Sequence, residues 1–152
     1  EALDSLWGFT QVDSPPTHIY VEGVAAKGKK PGPGGAGIFF GLDSPLNMAL
    51  AVPGPENVNA DRARLFAIHE AIQQVPEDRS LLLFCTSKMI IRQLCYSAAK
   101  NMQLGWPGRN GDIFKAVVDL LASRGARTCF VFLDSKANNE AKRTAYALAK
   151  HG

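Results

Sequence analysis

A chain of 152 residues with 46% hydrophobic and 20% charged residues has the balance of one folded domain, long enough to bury a core without staples. This excludes a disordered tail, and no apolar run approaches the roughly 18–20 residues of a membrane helix. A net charge of +3 permits a nucleic-acid partner without requiring one.

Taken in order, residues 1–16 carry Leu6, Trp7, Phe9 and a Pro15-Pro16 stop, and read as an N-terminal arm or linker remnant ahead of a domain spanning 17–152. The chain opens on Glu1 with neither a basic start nor an apolar segment, so no signal peptide is expected and an excised domain of a larger protein is. His18 to Val21 forms a first short strand, ending at Gly23. Ala25 to Gly37 has the Lys/Gly/Pro chemistry of a loop. Within it Gly32 to Gly37 matches GxGxxG, but Ile38-Phe39-Phe40 behind it reads as a strand, not the helix a dinucleotide site requires. A tight hairpin connection with positive φ is the expected role of these glycines. Leu46 to Val52 is a third strand.

Asn59 or Asp61 then caps a helix in which Leu65, Ile68, Ile72 and Val75 recur at helical spacing. Leu81 to Phe84 is a continuous apolar run, as in a strand buried on both faces. Ser87 caps a helix expected to run to about Met102, and Asp112 caps one that runs to Ser123 and stops at Gly125. Thr128 to Leu133 is another strand, and Asn138 or Asn139 opens a last helix, Glu140 to Lys150. The order β-β-β-α-β-α-α-β-α implies an α/β fold with a mixed five-stranded sheet and helices on both faces. Cys85, Cys95 and Cys129 are odd in number and lack CxxC spacing, so no disulfide framework or metal site is expected, and a reducing intracellular compartment, nuclear or cytoplasmic, fits.

Several segments resemble the type 1 ribonuclease H family, collinearly over about residues 17–150. Val21-Glu22-Gly23-Val24 stands where the family has T-D-G-S, and Pro31 to Gly37 where it has a P-G-P-G-G-x-G loop. Arg62-Ala63-Arg64-Leu65 is similar to its R-x-E-L, and Cys85-Thr86-Ser87 to its T-D-S. Gly105-Trp106, Asn110 to Phe114, and Asn139-Glu140-Ala141-Lys142-Arg143 resemble later signatures. The resemblance implies a ribonuclease H-like fold. It also implies an ancestral site in which four carboxylates hold two divalent ions that cleave the RNA strand of an RNA/DNA hybrid.

The matching positions here are Glu22, Arg64, Thr86 and Arg143. Three of the four carboxylates are replaced, and the formal charge swings from −4 to +1. A unit charge 4 Å from another is worth about 4 kcal/mol at an effective dielectric near 20, so one arginine opposes a divalent ion by roughly 8 kcal/mol. Arginine does not deprotonate to relieve this. The family's histidine loop is missing as well: Leu133 to Asn138 has no histidine. The chain is therefore expected to be a catalytically inactive pseudonuclease with no metal and no cofactor.

The expected role is a protein-interaction or scaffolding module, with a protein partner or the rest of a parent chain. The alternative is a non-cleaving binder of RNA or RNA/DNA hybrid. A residual metal-dependent ribonuclease is the minor alternative. A homodimer on the emptied face is left open, and no membrane is expected. For the binder, Arg64 and Arg143 would form a phosphate clamp, with Lys27, Lys29, Lys30, Asn57 and Asn59 as further contacts. Glu22 is either a remnant ligand or, as expected, the ion-pair partner of Arg64 or Arg143. His69 is expected to be a surface or satisfied helix histidine.

Overall fold

The structure, a computed structural model, describes residues 4–7, 15–26, 33–54 and 58–152. Six strands form one mixed sheet: β1 (Asp4–Trp7), β2 (Thr17–Val24), β3 (Gly34–Phe39), β4 (Met48–Val52), β5 (Leu81–Cys85) and β6 (Thr128–Phe132), in the order β1-β6-β5-β2-β3-β4. The helices are α1 (Ala60–Gln73), α2 (Lys88–Cys95), α3 (Ala98–Gln103), α4 (Gly111–Ala122) and α5 (Glu140–His151). The antiparallel meander β2-β3-β4 precedes two parallel pairings, β2 with β5 and β5 with β6. Each parallel return requires a crossover, which α1 and then α2–α4 supply.

The five expected strands are all present, and a sixth joins them. The sixth comes from the N-terminal arm, where Asp4–Trp7 pairs antiparallel with Thr128–Val131 of β6. An unpaired β6 edge would leave backbone donors and acceptors open, and the arm closes that row.

Within the glycine run, Gly32 lies outside the described residues, and the described glycines are not turn residues with positive φ. Glycines with positive φ occur at Gly41, Gly105 and Gly108, whereas Gly34, Gly35 and Gly37 are extended and lie within β3. Their role is close packing. A Cβ on Gly35 would sit 1.8 Å from the Ala149 carbonyl oxygen, and one on Gly37 would sit 2.0 Å from that of Ala145. The backbone of α5 therefore lies directly on β3. On the opposite face a Cβ on Gly23 would meet the Arg64 backbone nitrogen and the Ala63 Cβ of α1. Side chains alternate along a strand, and β2 pairs Gly23 with Ala36 but Glu22 with Gly37. The first pair faces α1 and the second faces α5, so helices cover both faces of the sheet.

The core lies between sheet and helices. Ile19, Val21, Ala36 and Ile38 from the sheet and Leu65, Ile68 and Ile72 from α1 are buried, each of the larger ones contributing roughly 1.5–3 kcal/mol. Asn59 caps α1, its side chain accepting from the Arg62 N–H; Asn139 does the same for α5 from the Lys142 N–H, and Ser87 for α2 from Ile90. The helix expected from Ser87 to Met102 breaks at Tyr96-Ser97, where both N–H groups bond the Arg92 carbonyl. Asn110, not Asp112, precedes α4; Asp112 lies in its first turn, with its carboxylate bonded to Arg62. On β5, Leu82 and Phe84 are half-buried rather than sealed, with Phe84 stacked on Tyr20 at 4.4 Å.

Candidate nucleic-acid interface

The strands β2 and β5 run parallel with Tyr20 opposite Phe84. Two residues further on, Glu22 and Thr86 come level at the carboxyl ends of both strands, where open α/β sheets place their sites. The first turn of α1 brings Arg64 to the same point, and α5 forms the facing wall. Glu22, Arg64, Thr86 and Arg143 line one cleft of about 410 Å³. The four positions singled out in the sequence thus converge, although as many as 121 residues separate the first from the last.

The floor of this cleft is held by ion pairs and hydrogen bonds among its own side chains. Arg64 Nε donates to Glu22 Oε1 at 3.2 Å, and the Thr86 hydroxyl donates to the same oxygen at 3.1 Å. A second arm of the guanidinium donates to Asp61 Oδ1 at 2.9 Å. The Glu22 side chain is 6% exposed and that of Arg64 21%. Burial alone would lower the Arg64 pKa; the Glu22 charge and the bonds to Asp61 and Glu22 outweigh it and hold the pKa above its ordinary value. Beneath the floor, burial pushes the Cys85 thiol up to about 12, so it is a neutral packing residue at physiological pH. None of the three cysteines forms a disulfide.

This donor set does not fit a pair of divalent ions. Two-metal sites need several hard anionic oxygens around ions about 3.5–4 Å apart. Glu22 is the one carboxylate lining the cleft, its Oε1 already accepts two bonds, and a fixed cation lies within 3.2 Å. Among the described residues no cluster of three or more His, Cys, Asp or Glu side chains is arranged to hold a metal.

The wall of the cleft is different. Arg143, Tyr146, Ala147 and Lys150 recur at i, i+3, i+4 and i+7 and form one stripe of α5, flanked by Lys142 and Ser135. Arg143 is exposed and bonds Asn138 through one end of its guanidinium. Lys142 Nζ bonds the Ser135 carbonyl. Lys150 Nζ lies 4.8 Å over the ring of Tyr146, which is 44% exposed. The lining residues carry one negative and four positive side chains, a formal +3.

Of the two arginines expected to clamp phosphate, Arg64 is ion-paired with Glu22 and Asp61, whereas Arg143 stands exposed at the cleft, with Lys150 on the same helix. Sequence reasoning missed Lys142, Tyr146 and Lys150, although the i, i+3 and i+7 spacing of Tyr146 and Lys150 from Arg143 along one helix face is a usable signal. Asn59 serves as the α1 cap and also accepts from Asn110 Nδ2 at 3.2 Å. Lys27, Lys29, Lys30 and Asn57 lie outside the described residues. Asp61, at a position where an acid opposes phosphate, faces Arg64 instead. His69 is half-buried on α1 with Nδ1 3.3 Å from Glu70 Oε2, beside a second cavity of about 290 Å³ that Arg62 and Asp112 also line. Trp106, expected among the apolar residues in search of a home, is buried and stacks on Phe114 at 5.8 Å, while Tyr96 and Met102 are exposed. No helix among the described residues is long and apolar enough to cross a membrane.

No family model matches the chain. Among curated proteins it is similar to the ribonuclease H of Schizosaccharomyces pombe, 29% identical over 120 residues. That match covers 74% of this chain and 44% of the yeast protein, so the chain spans less than half the length of this relative. Among solved structures it is similar to LC9-RNase H1, a type 1 RNase H with the type 2 active-site motif, at a TM-score of 0.67 and 16% identity over 92% of this chain and 74% of that one. The foamy viral protease-reverse transcriptase in complex with dsDNA gives 0.71 and 16%, over 89% and 92%. RNase H1 of the halophilic archaeon Halobacterium salinarum gives 0.60 and 16%, over 91% and 100%. With the sheet order and helix placement above, these likenesses show that the chain has a ribonuclease H-like fold.

Proposed function

We propose that this chain is a ribonuclease H-like domain that has lost hydrolysis and binds nucleic acid through the cleft that would have held metal. The observation that carries this reading is the charge of the cleft: its one carboxylate is bonded to Arg64 and Thr86, and the facing helix adds three further cations. Such a site repels divalent ions and attracts phosphate oxygens, which arginine forks and lysines bind through charge-assisted bonds. Two likenesses lend context: the yeast relative is a ribonuclease H, and the foamy viral neighbour is described in complex with dsDNA. With the catalytic carboxylates replaced, binding ends without cleavage. Cysteines without a disulfide favour an intracellular setting.

The test is the salt dependence of binding to fluorescein-labelled RNA, DNA and hybrid oligonucleotides, followed by anisotropy. For each phosphate contact the log–log slope changes by about 0.7–0.9. Substituting both Arg143→Ala and Lys150→Ala should flatten the slope by roughly 1.5 and weaken every nucleic acid that binds. Unchanged slopes and affinities would refute the reading.

A protein-interaction scaffold is the second reading, favoured by Tyr96, Met102 and Leu104, which stand exposed on and after α2 and α3. On that account, Met102→Asp with Leu104→Asp abolishes partner capture by the parent protein, while the α5 substitutions leave it intact.

A further inference from the structure

The cleft wall holds an element that a phosphate site does not need. Tyr146 stands between Arg143 and Lys150 on the α5 stripe, 44% exposed, its ring facing the same cleft as the two cations. A large aromatic left in a cationic groove costs apolar exposure unless a ligand covers it. Lysine over its face shows that the ring is open to a cationic partner. The lysine is held by its four-carbon stem and by this contact, so it can swing from ring to phosphate without backbone movement.

Aromatic rings interleaved with cations are the means by which proteins hold single strands, because every base has a π-face and every nucleotide a phosphate. A base inside a duplex is stacked on its neighbours and presents edges, not faces, to a protein. The volume of about 410 Å³ lies within the range of pockets that enclose a small molecule. Thr86 and Ser135, at the floor and rim, add hydroxyl and backbone groups beside the cations.

We propose that the α5 cleft holds one unpaired nucleotide of a single-stranded nucleic acid, its base stacked on Tyr146 and its flanking phosphates on Arg143 and Lys150. This rests on the nucleic-acid reading above and narrows its ligand from any polyanion to a single strand. The floor does not contact the ligand through Glu22, whose bonded oxygen is spent on Arg64 and Thr86. The base therefore enters along the wall, and divalent ions are not required.

The experiment compares labelled single-stranded RNA, the same strand with an abasic site at every position, and RNA/DNA hybrid and duplex DNA of equal length. Each is titrated with wild type, Tyr146→Ala, Tyr146→Phe and the Arg143→Ala/Lys150→Ala double variant, in EDTA at several salt concentrations. Circular dichroism confirms that each variant is folded. Single-stranded RNA should bind wild type at least tenfold more tightly than hybrid or duplex. Tyr146→Ala should weaken the single strand about tenfold, which is 1.4 kcal/mol, without changing its salt slope, and Tyr146→Phe should retain wild-type affinity. The abasic strand should bind weakly and be insensitive to Tyr146→Ala. The double variant should flatten the slope for every ligand. Duplex binding as tight as single-strand binding, or a neutral Tyr146→Ala, overturns the single-strand proposal and leaves nucleic-acid binding standing. Absence of binding by every oligonucleotide overturns both.

Discussion

The floor and the wall of one cleft have opposite designs. On the floor, Glu22, Arg64, Thr86 and Asp61 satisfy one another, and a nearly buried carboxylate and a largely buried guanidinium form a closed network. On the wall, Arg143 and Lys150 stand at the surface of α5, Arg143 bonded to Asn138 and Lys150 lying over the Tyr146 ring. The difference teaches where each charge acts. A buried ion pair is committed to the fold, and breaking it strands a charge. An exposed cation contributes little to stability and is available to a ligand. The two arginines of this cleft thus differ in role, Arg64 tied into the fold by two carboxylates and Arg143 exposed at the surface.

The sharpest way to break this contrast is on the floor. Arg64→Ala leaves the Glu22 carboxylate buried with a single hydroxyl partner and should destabilise the domain by about 3–4 kcal/mol. At roughly 2–4 °C per kcal/mol for a chain of this size, the melting temperature should fall by about 6–16 °C. Calorimetry that finds less than about 1 kcal/mol would show that the floor pair is not structural.

Next is the support of the wall. Gly37→Ala forces a Cβ to within 2.0 Å of the Ala145 carbonyl oxygen, so α5 must move. We expect a loss of about 2–3 kcal/mol in urea unfolding, accompanied by weakened oligonucleotide binding. Arg143→Ala with Lys150→Ala is the mirror image: stability should stay within about 0.5 kcal/mol of wild type while binding and its salt slope fall.

The smallest effect lies outside the cleft. Arg62 donates to both carboxylate oxygens of Asp112 at 2.8 Å. These bonds, more than burial or net charge, hold the Asp112 carboxyl below the ordinary aspartate range. A depressed folded pKa contributes stability in full above the unfolded value of about 3.9, and the contribution is lost as pH falls through the folded value. The stability difference between wild type and Asp112→Asn should therefore narrow from pH 7 to pH 3. A difference that is constant across that interval would show that the bridge contributes nothing.

How much of this was legible in the sequence follows the range of each interaction. Local signals held: Asn59, Ser87 and Asn139 cap the helices they precede, and the Leu65, Ile68 and Ile72 face of α1 is buried. Features decided by distant partners did not. β1 exists because β6 offers an open edge, which four residues of the arm cannot announce. Gly35 and Gly37 read as a turn because their requirement comes from α5, more than 100 residues later. Asp112 was read as a cap, but its partner, Arg62, lies 50 residues away. At the site, Glu22, Arg64, Thr86 and Arg143 come from resemblance to a known motif set, and charge alone leaves Glu22 to pair with Arg64 or Arg143, of which the structure brings Arg64 to it. The wall is less legible because Tyr146 and Lys150 lie outside those motifs and Lys142 fills an unspecified position of one, so their shared face matters only once α5 is seen to face the floor.

The most direct test of the central claim, that this cleft has exchanged metal for phosphate, is one titration made twice. Labelled single-stranded RNA and RNA/DNA hybrid are titrated with wild-type protein in EDTA and in Mg²⁺ or Mn²⁺ at matched ionic strength, and every sample is then run on a denaturing gel. The account predicts binding in EDTA, the same or weaker binding with the divalent ion, and intact strands throughout. Cleavage that follows the protein through purification, or binding that appears only with the divalent ion, would contradict it.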